Sequence, residues 1–308
     1  MKKILLVTII IIFIPFIVVK FYEIGENEEI ELNYESNTII RVKRVNSGDI
    51  IYMPLEEYIV GVLAGEMPIY FENEAFKAQA VAARSYALKR IEYNIENDYD
   101  VVDSVLNQVY LDNEYLKEAW GNDYINNINK LRKVVNDTSL EYLDYGGEVI
   151  DAMFFSTSNG YTEDSSTVFN IDLPYLQSVK SSWDEKTSSA FRSVTTMNIN
   201  DFFNNLGMDY SDKFDVKVLK RSNSNRIISI SINGKEFLGK TLYDKLGLKS
   251  LDFSLKKEED KIVINTVGYG HGVGMSQYGA EGMALEGYNY EEILYYYYNG
   301  TAIKKLKS

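Results

Sequence analysis

Residues 54–68 read PLEEYIVGVLAGEMP, and the parsing of that stretch decides the fold around it. Leu55, Tyr58, Ile59, Val62 and Leu63 recur at helical spacing and mark one apolar face. Pro54 suits the first turn of such a helix, where its missing N–H leaves nothing unsatisfied. Gly65 is expected to end the helix, and Pro68 forbids its continuation. Upstream, residues 38–45 and 49–53 read as strands joined by the turn Asn46-Ser47-Gly48-Asp49. Downstream, a second helix is expected from Asn73, an N-cap residue type, to about residue 94. Its stripe of Phe76, Ala80, Ala83, Ala87 and Ile91 is mostly small, which permits close packing. Residues 115–136 are polar with helical character. Residues 148–156, 216–219, 226–232 and 261–267 read as strands, and residues 198–206 and 290–298 as helices. Helices and strands mix without a βαβ rhythm, so the expected class is α+β.

The N-terminus sets the expected compartment. Residues 4–19 are apolar apart from Thr8 and Pro15, follow Lys2 and Lys3, and extend through Lys20 to Phe21 and Tyr22. With lysine snorkelling and interfacial aromatics, this length suits a membrane span. No small-x-small cleavage site follows, so residues 1–22 are expected to be an uncleaved transmembrane anchor. Its flanking charge places the body outside the cytoplasm. Residues 23–37 are acidic (Glu23, Glu26, Glu28, Glu29, Glu31) and read as a solvated stalk, leaving 38–308 as the main domain.

A net charge of −13 argues against nucleic acid, which needs a basic footprint. There is no cysteine, hence no disulfide framework and no thiolate nucleophile. Three segments could carry chemistry. Glu66 is expected just past the C-terminus of that helix, where the dipole disfavours negative charge, a setting suited to a carboxylic acid that donates a proton. A solvated loop glutamate is the bland reading. Residues 154–163, FFSTSNGYTE, empty an apolar strand into small hydroxyls, an amide and a glycine, which suits sugar hydroxyls or simply a well-capped loop. Residues 268–280, GYGHGVGMSQYGA, carry four glycines in seven residues, allowing close backbone approach or positive φ. They contain the single histidine of the chain, His271, which is more often structural than catalytic. Ser276 lies outside a GxSxG elbow, and neither HExxH nor a cysteine–histidine zinc set exists. A glycosidase with two carboxylates stays open.

Taken together, GVLAGEMP, EAFKAQAVAARSYAL, FFSTSNGYTE, PYLQSVKSSWD, GYGHGVGMSQYGAEGMA and YEEILYYYYNGT resemble the SpoIID/LytB family in order, from about residue 38 to 305. The resemblance implies an α+β domain forming a cleft behind an N-terminal transmembrane helix. It also implies a lytic transglycosylase that cleaves the MurNAc–GlcNAc bond of peptidoglycan to 1,6-anhydro ends during sporulation engulfment. The catalytic glutamate of the family falls on Glu66. Gln79, Arg84, Ser156, Ser158, Asn159, Tyr161, His271 and Gln277 become candidate substrate contacts, though Arg84 could anchor its helix instead. No cofactor is implied. The implied partners are peptide-stripped glycan strands, a cell-wall amidase and a polytopic membrane scaffold. Some relatives carry histidine and cysteine zinc ligands where this chain reads YDVVDSVLNQVY, residues 99–110, so local packing is expected to replace them. Asn159 stands where relatives often have glycine. Two other readings compete: a glycan-binding amidase enhancer that does not cut, and a hydrolytic muramidase pairing Glu66 with a carboxylate such as Glu163.

Overall fold

The computed structural model describes residues 28–34 and 36–307. Helices and strands are mixed along the chain, but the expectation of a fold preceded by a transmembrane helix is corrected. Among the described residues no helix is long and apolar enough to cross a membrane, and the expected anchor, residues 1–22, lies outside them. The chain divides into two compact units. Among the described residues, one comprises 28–34, 36–69, 94–140 and 307, and the other 70–93 and 141–306.

In the first unit, Ile39–Lys43 pairs antiparallel with Ile50–Pro54 and parallel with Val101–Val102. Pro54 closes the strand and serves as N-cap of the helix Leu55–Glu66, one position earlier than a first-turn proline. The apolar positions that mark this helix in the sequence, from Leu55 to Leu63, are at most 2% exposed. Burying each such side chain is worth about 1.5–3 kcal/mol, so the helix is held by packing more than by its caps. The expected polar helix after residue 115 is two helices, Asn113–Trp120 and Tyr124–Asp137, separated by Gly121 at φ +51. Asn129, Arg132 and Asn136, spaced along one face of Tyr124–Asp137, bond the backbone of Glu28, Ile30, Glu31 and Asn33.

The stretch of residues 99–110 is fixed by charge and backbone. Asp100 accepts from the Arg41 main-chain N–H at 2.7 Å and from its guanidinium. Arg44 bridges Asp103 at 2.7 Å and Asp112 at 2.8 Å.

The second unit is built around the helix Asn73–Tyr93, whose alanines Ala75, Ala80, Ala83 and Ala87 are fully buried. Against it pack Gln277–Leu285, Tyr290–Tyr297 and the strand Glu141–Tyr145. That strand pairs with Ala302–Lys305 and Glu148–Val149. Residues 148–156, expected as one strand, form only Glu148–Val149 and Phe154–Phe155. The latter pairs parallel with Met275–Ser276. Residues 192–267 form a lobe inserted between these elements. Its first strand, Arg192–Asn198, pairs antiparallel with its last, Lys261–Val267, so the chain leaves and returns at the neighbours Arg192 and Val267. The lobe has its own core, including Phe202, Phe203, Ile230, Leu242, Phe253 and Ile264.

Candidate functional site

Glu66 is the last residue of the helix Leu55–Glu66. The helix runs one residue past Gly65, contrary to the expectation that Gly65 ends it. Met67 is extended (φ −128, ψ 142), and Pro68 follows. Gly65 serves another purpose. A Cβ there would lie 2.9 Å from both the carbonyl oxygen and Cγ1 of Val109. One turn earlier, a Cβ on Gly61 would lie 2.3 Å from Cε2 of Tyr110 and 2.6 Å from the Leu111 carbonyl oxygen. The two glycines therefore form a bare strip on which residues 109–111 lie directly. The Leu111 N–H donates to the Gly61 carbonyl at 3.2 Å, the Tyr58 hydroxyl to Gln108 Oε1 at 3.1 Å, and the rings of Tyr58 and Tyr110 stack at 5.5 Å. This seating delivers the Val109 N–H to Glu66 Oε1 at 2.7 Å. Glu66 is half-buried, and the Val109 bond fixes the orientation of its carboxyl.

In the second unit, six of the candidate contacts gather where residues 154–163 meet residues 268–280. Thr157 exchanges backbone hydrogen bonds with Tyr269 at 2.9 and 2.7 Å, and the Glu163 N–H donates to the Gly272 carbonyl at 2.7 Å. The glycine run is a packing surface. Gly268, Gly270, Gly272 and Gly274 all have positive φ. Added Cβ atoms would lie 2.9 Å from the Thr157 oxygen at Gly268 and 1.9 Å from the Met153 oxygen at Gly274.

His271 is neutral and structural in its bonding. Its Nδ1 accepts from the Val273 N–H at 3.1 Å, which leaves Nε2–H to donate to the Phe154 carbonyl at 3.0 Å. Burial, with the Arg226 charge adding to it, pushes its pKa down to about 4 against the opposing pull of the Phe154 carbonyl. Ser158 is fully buried and donates to the Ser181 carbonyl at 2.9 Å. Asn159 donates to the Ser224 carbonyl at 2.7 Å and to Asp252 at 2.9 Å, which gives the amide at this position a structural purpose. Tyr161 is exposed, with its ring free to meet a ligand. Ser156 is half-buried beside Thr157. Gln277 is buried at the start of the helix Gln277–Leu285. On the helix Asn73–Tyr93, Arg84 is fully buried and donates to the Glu141 carbonyl at 3.0 Å, an anchoring contact. Gln79 is equally buried, and neither atom of its amide has a hydrogen-bond partner among the described residues.

The residue that ties these segments together, Asp184, is one that motif reading passes over. Fully buried, it accepts from the Ser158 N–H at 2.7 Å, the Ser181 hydroxyl at 2.6 Å and the Ser276 hydroxyl. Burial raises its pKa against these donors. Ser181 also meets the Tyr297 hydroxyl at 2.7 Å. A Cβ on Gly279 would lie 2.1 Å from that hydroxyl, so glycine is required beside the network. The only sequence trace of this hub is the acidic end of PYLQSVKSSWD. Glu163 forms a second sealed site, its carboxylate taken by the Ser222 and Ser224 hydroxyls and the Asp164 N–H.

Comparison with known proteins puts these motifs in context. The chain is 39% identical over 279 residues to stage II sporulation protein D of Bacillus amyloliquefaciens, covering 89% of this chain and 81% of that protein. The chain belongs to the stage II sporulation protein D family. The Bacillus subtilis member is 40% identical over 271 residues, covering 86% of this chain and 79% of its own. The family described as "Stage II sporulation protein" matches residues 44–145, a span that contains Glu66 and the Val109 segment. A more distant relative, the amidase enhancer of Bacillus subtilis, is 28% identical over 299 residues, which is 79% of this chain but 40% of that protein.

Proposed function

We propose that this sporulation protein is a peptidoglycan lytic transglycosylase with Glu66 as its acid and base. The observation that carries the reading is the half-buried Glu66 at a helix end, its carboxyl held by the Val109 N–H. In a transglycosylase one carboxyl suffices. Its proton goes to the glycosidic oxygen as the C–O bond to the leaving sugar breaks. The resulting carboxylate then takes the proton of the muramic 6-hydroxyl, whose oxygen closes the anhydro ring at C1. A muramidase pairing Glu66 with Glu163 is disfavoured, because the Glu163 oxygens are sealed under serine hydroxyls. Of the proposed sugar contacts, Tyr161 and Ser156 have the accessible groups. Ser158, Asn159, Arg84 and His271 act by holding the surrounding segments, and Gln79 and Gln277 remain proposed contacts.

The kinship with an amidase enhancer supports a second reading, in which the protein binds glycan and assists a cell-wall amidase without cutting. Product analysis separates the two. The purified chain and its Glu66→Gln variant are incubated with peptide-stripped and intact glycan strands, and the products are read by mass spectrometry. Anhydro-muramic ends from the wild type alone are expected. Equal strand binding by both proteins with no cleavage would establish the enhancer reading instead.

A further inference from the structure

The inserted lobe carries thirteen Lys and Arg against ten Asp and Glu, a net positive surface within a chain of net charge −13. One side of a cavity of ≈190 Å³ belongs to this lobe, and the other side comes from residues 163–170. Arg226 lines it and is 2% exposed. Its guanidinium donates to the Ser224 hydroxyl at 2.7 Å and to the Tyr161 carbonyl at 3.1 Å, both neutral acceptors. The Nε–H has no partner among the described residues. Gly272 closes one face, where a Cβ would lie 2.5 Å from Cζ. A buried cation bonded to neutral groups is costly, and the nearby Glu163 and Asp252 offset it only through space. Glu163 also lines the cavity, but its oxygens are taken by Ser222, Ser224 and the Asp164 N–H.

The helix Gly239–Leu246 begins at the same cavity, and its N-cap, Leu238, offers no side-chain acceptor to the first-turn amides. Gly239 allows this approach, since a Cβ there would lie 1.9 Å from the Ile227 oxygen. The positive end of the helix, the buried guanidinium and the exposed Lys240, whose ammonium also meets Asp244 at 3.2 Å, thus line one small space. Its remaining walls are mostly apolar, with Val168, Ile227, Leu238 and Leu251 beside the polar Thr167 and Asn170. We propose that this cavity binds a carboxylate carried on a short aliphatic chain, the chemistry of a peptide C-terminus. The apolar walls take the aliphatic part, and the helix end, Arg226 and Lys240 take the charge. A phosphate would leave those walls unused. The site lies wholly within the second unit and does not depend on the activity of Glu66.

The test is an amide-resolved NMR titration of the full chain with N-acetyl-alanyl-alanine, its C-terminal amide, and inorganic phosphate. The free acid is expected to shift the amides of residues 239–241. Lys240→Glu and Arg226→Lys are each expected to weaken it about tenfold or more, the usual size of a lost charge-assisted hydrogen bond. Lys240 is exposed, so its variant keeps the test meaningful even if the Arg226 variant fails to fold. No shifts with the acid, equal binding of the amide, phosphate binding as tight as the acid, or an unaffected Lys240→Glu variant would each overturn the proposal.

Discussion

Glu66 and Asp184 are both carboxylates at motif segments, yet their surroundings are opposite. Asp184 is fully buried and ringed by an amide and two serine hydroxyls. Glu66 is half-buried, with the Val109 amide on Oε1. The sealed carboxylate gives its lone pairs to the fold and cannot trade protons with a ligand without dismantling three segments. Glu66 is oriented by the fold without being fully buried. Burial and saturation mark a carboxylate that builds, and fixed orientation with access marks one that can act.

The sharpest test of this contrast is a pair of substitutions. Glu66→Gln keeps shape and removes the proton. It is expected to lower anhydro-end formation by about 10²–10⁴-fold, measured by mass spectrometry, while the unfolding midpoint in urea stays put. Asp184→Ala should do the reverse to stability. It strands buried donors and is expected to cost about 3–5 kcal/mol in urea unfolding, with Asp184→Asn costing less. If the Glu66 variant proved the less stable of the two, the division between acting and building carboxylates would fail.

His271 extends the comparison to pH. Its folded pKa is depressed to about 4, below its ordinary value of 6.5. The unfolded chain therefore binds the extra proton more readily, so stability is fully present above pH 6.5 and is lost as pH falls toward 4. The loss should be on the order of 2–3 kcal/mol. Urea midpoints measured across that window should fall in the wild type and fall less in His271→Gln. Parallel slopes would mean that other groups govern the acid limb.

How much of this was legible depends on whether the interaction is local. The period of Leu55, Tyr58, Ile59, Val62 and Leu63 predicts its helix because those side chains sit on one turn-repeat. The turn at residues 46–49 predicts its hairpin because Gly48 supplies the positive φ, +78. Asp184 was not legible, since beyond the local Ser181 its donors come from residues 158 and 276, brought to it only by the fold. The inserted lobe was hidden for the same reason: Arg192–Asn198 finds its partner strand at Lys261–Val267. The glycines were visible but ambiguous. Ligand approach and backbone packing both demand a missing Cβ, and a sequence does not say which atom fills the space.

Gly65 is where that ambiguity can be resolved by the smallest change. Replacing it with alanine favours the helix by about 1 kcal/mol, because glycine is the poorer helix former. Against this, the new methyl would meet the Val109 oxygen at 2.9 Å, and that atom is backbone rather than a side-chain tip that can swing away. Overpacking of this kind costs about 1–3 kcal/mol, so Gly65→Ala should come out slightly destabilising, by about 1 kcal/mol in urea unfolding. Its effect on product formation should be larger than its effect on stability. Relief of the clash moves residues 109–111 off the helix, and with them the N–H that holds Glu66 Oε1. Gly61→Ala, which clashes one turn away from Glu66, should cost at least as much stability but proportionally less activity. If the two variants lost activity in step with stability, the strip of glycines would be only a packing device, and the Val109 amide would have no special part in orienting Glu66.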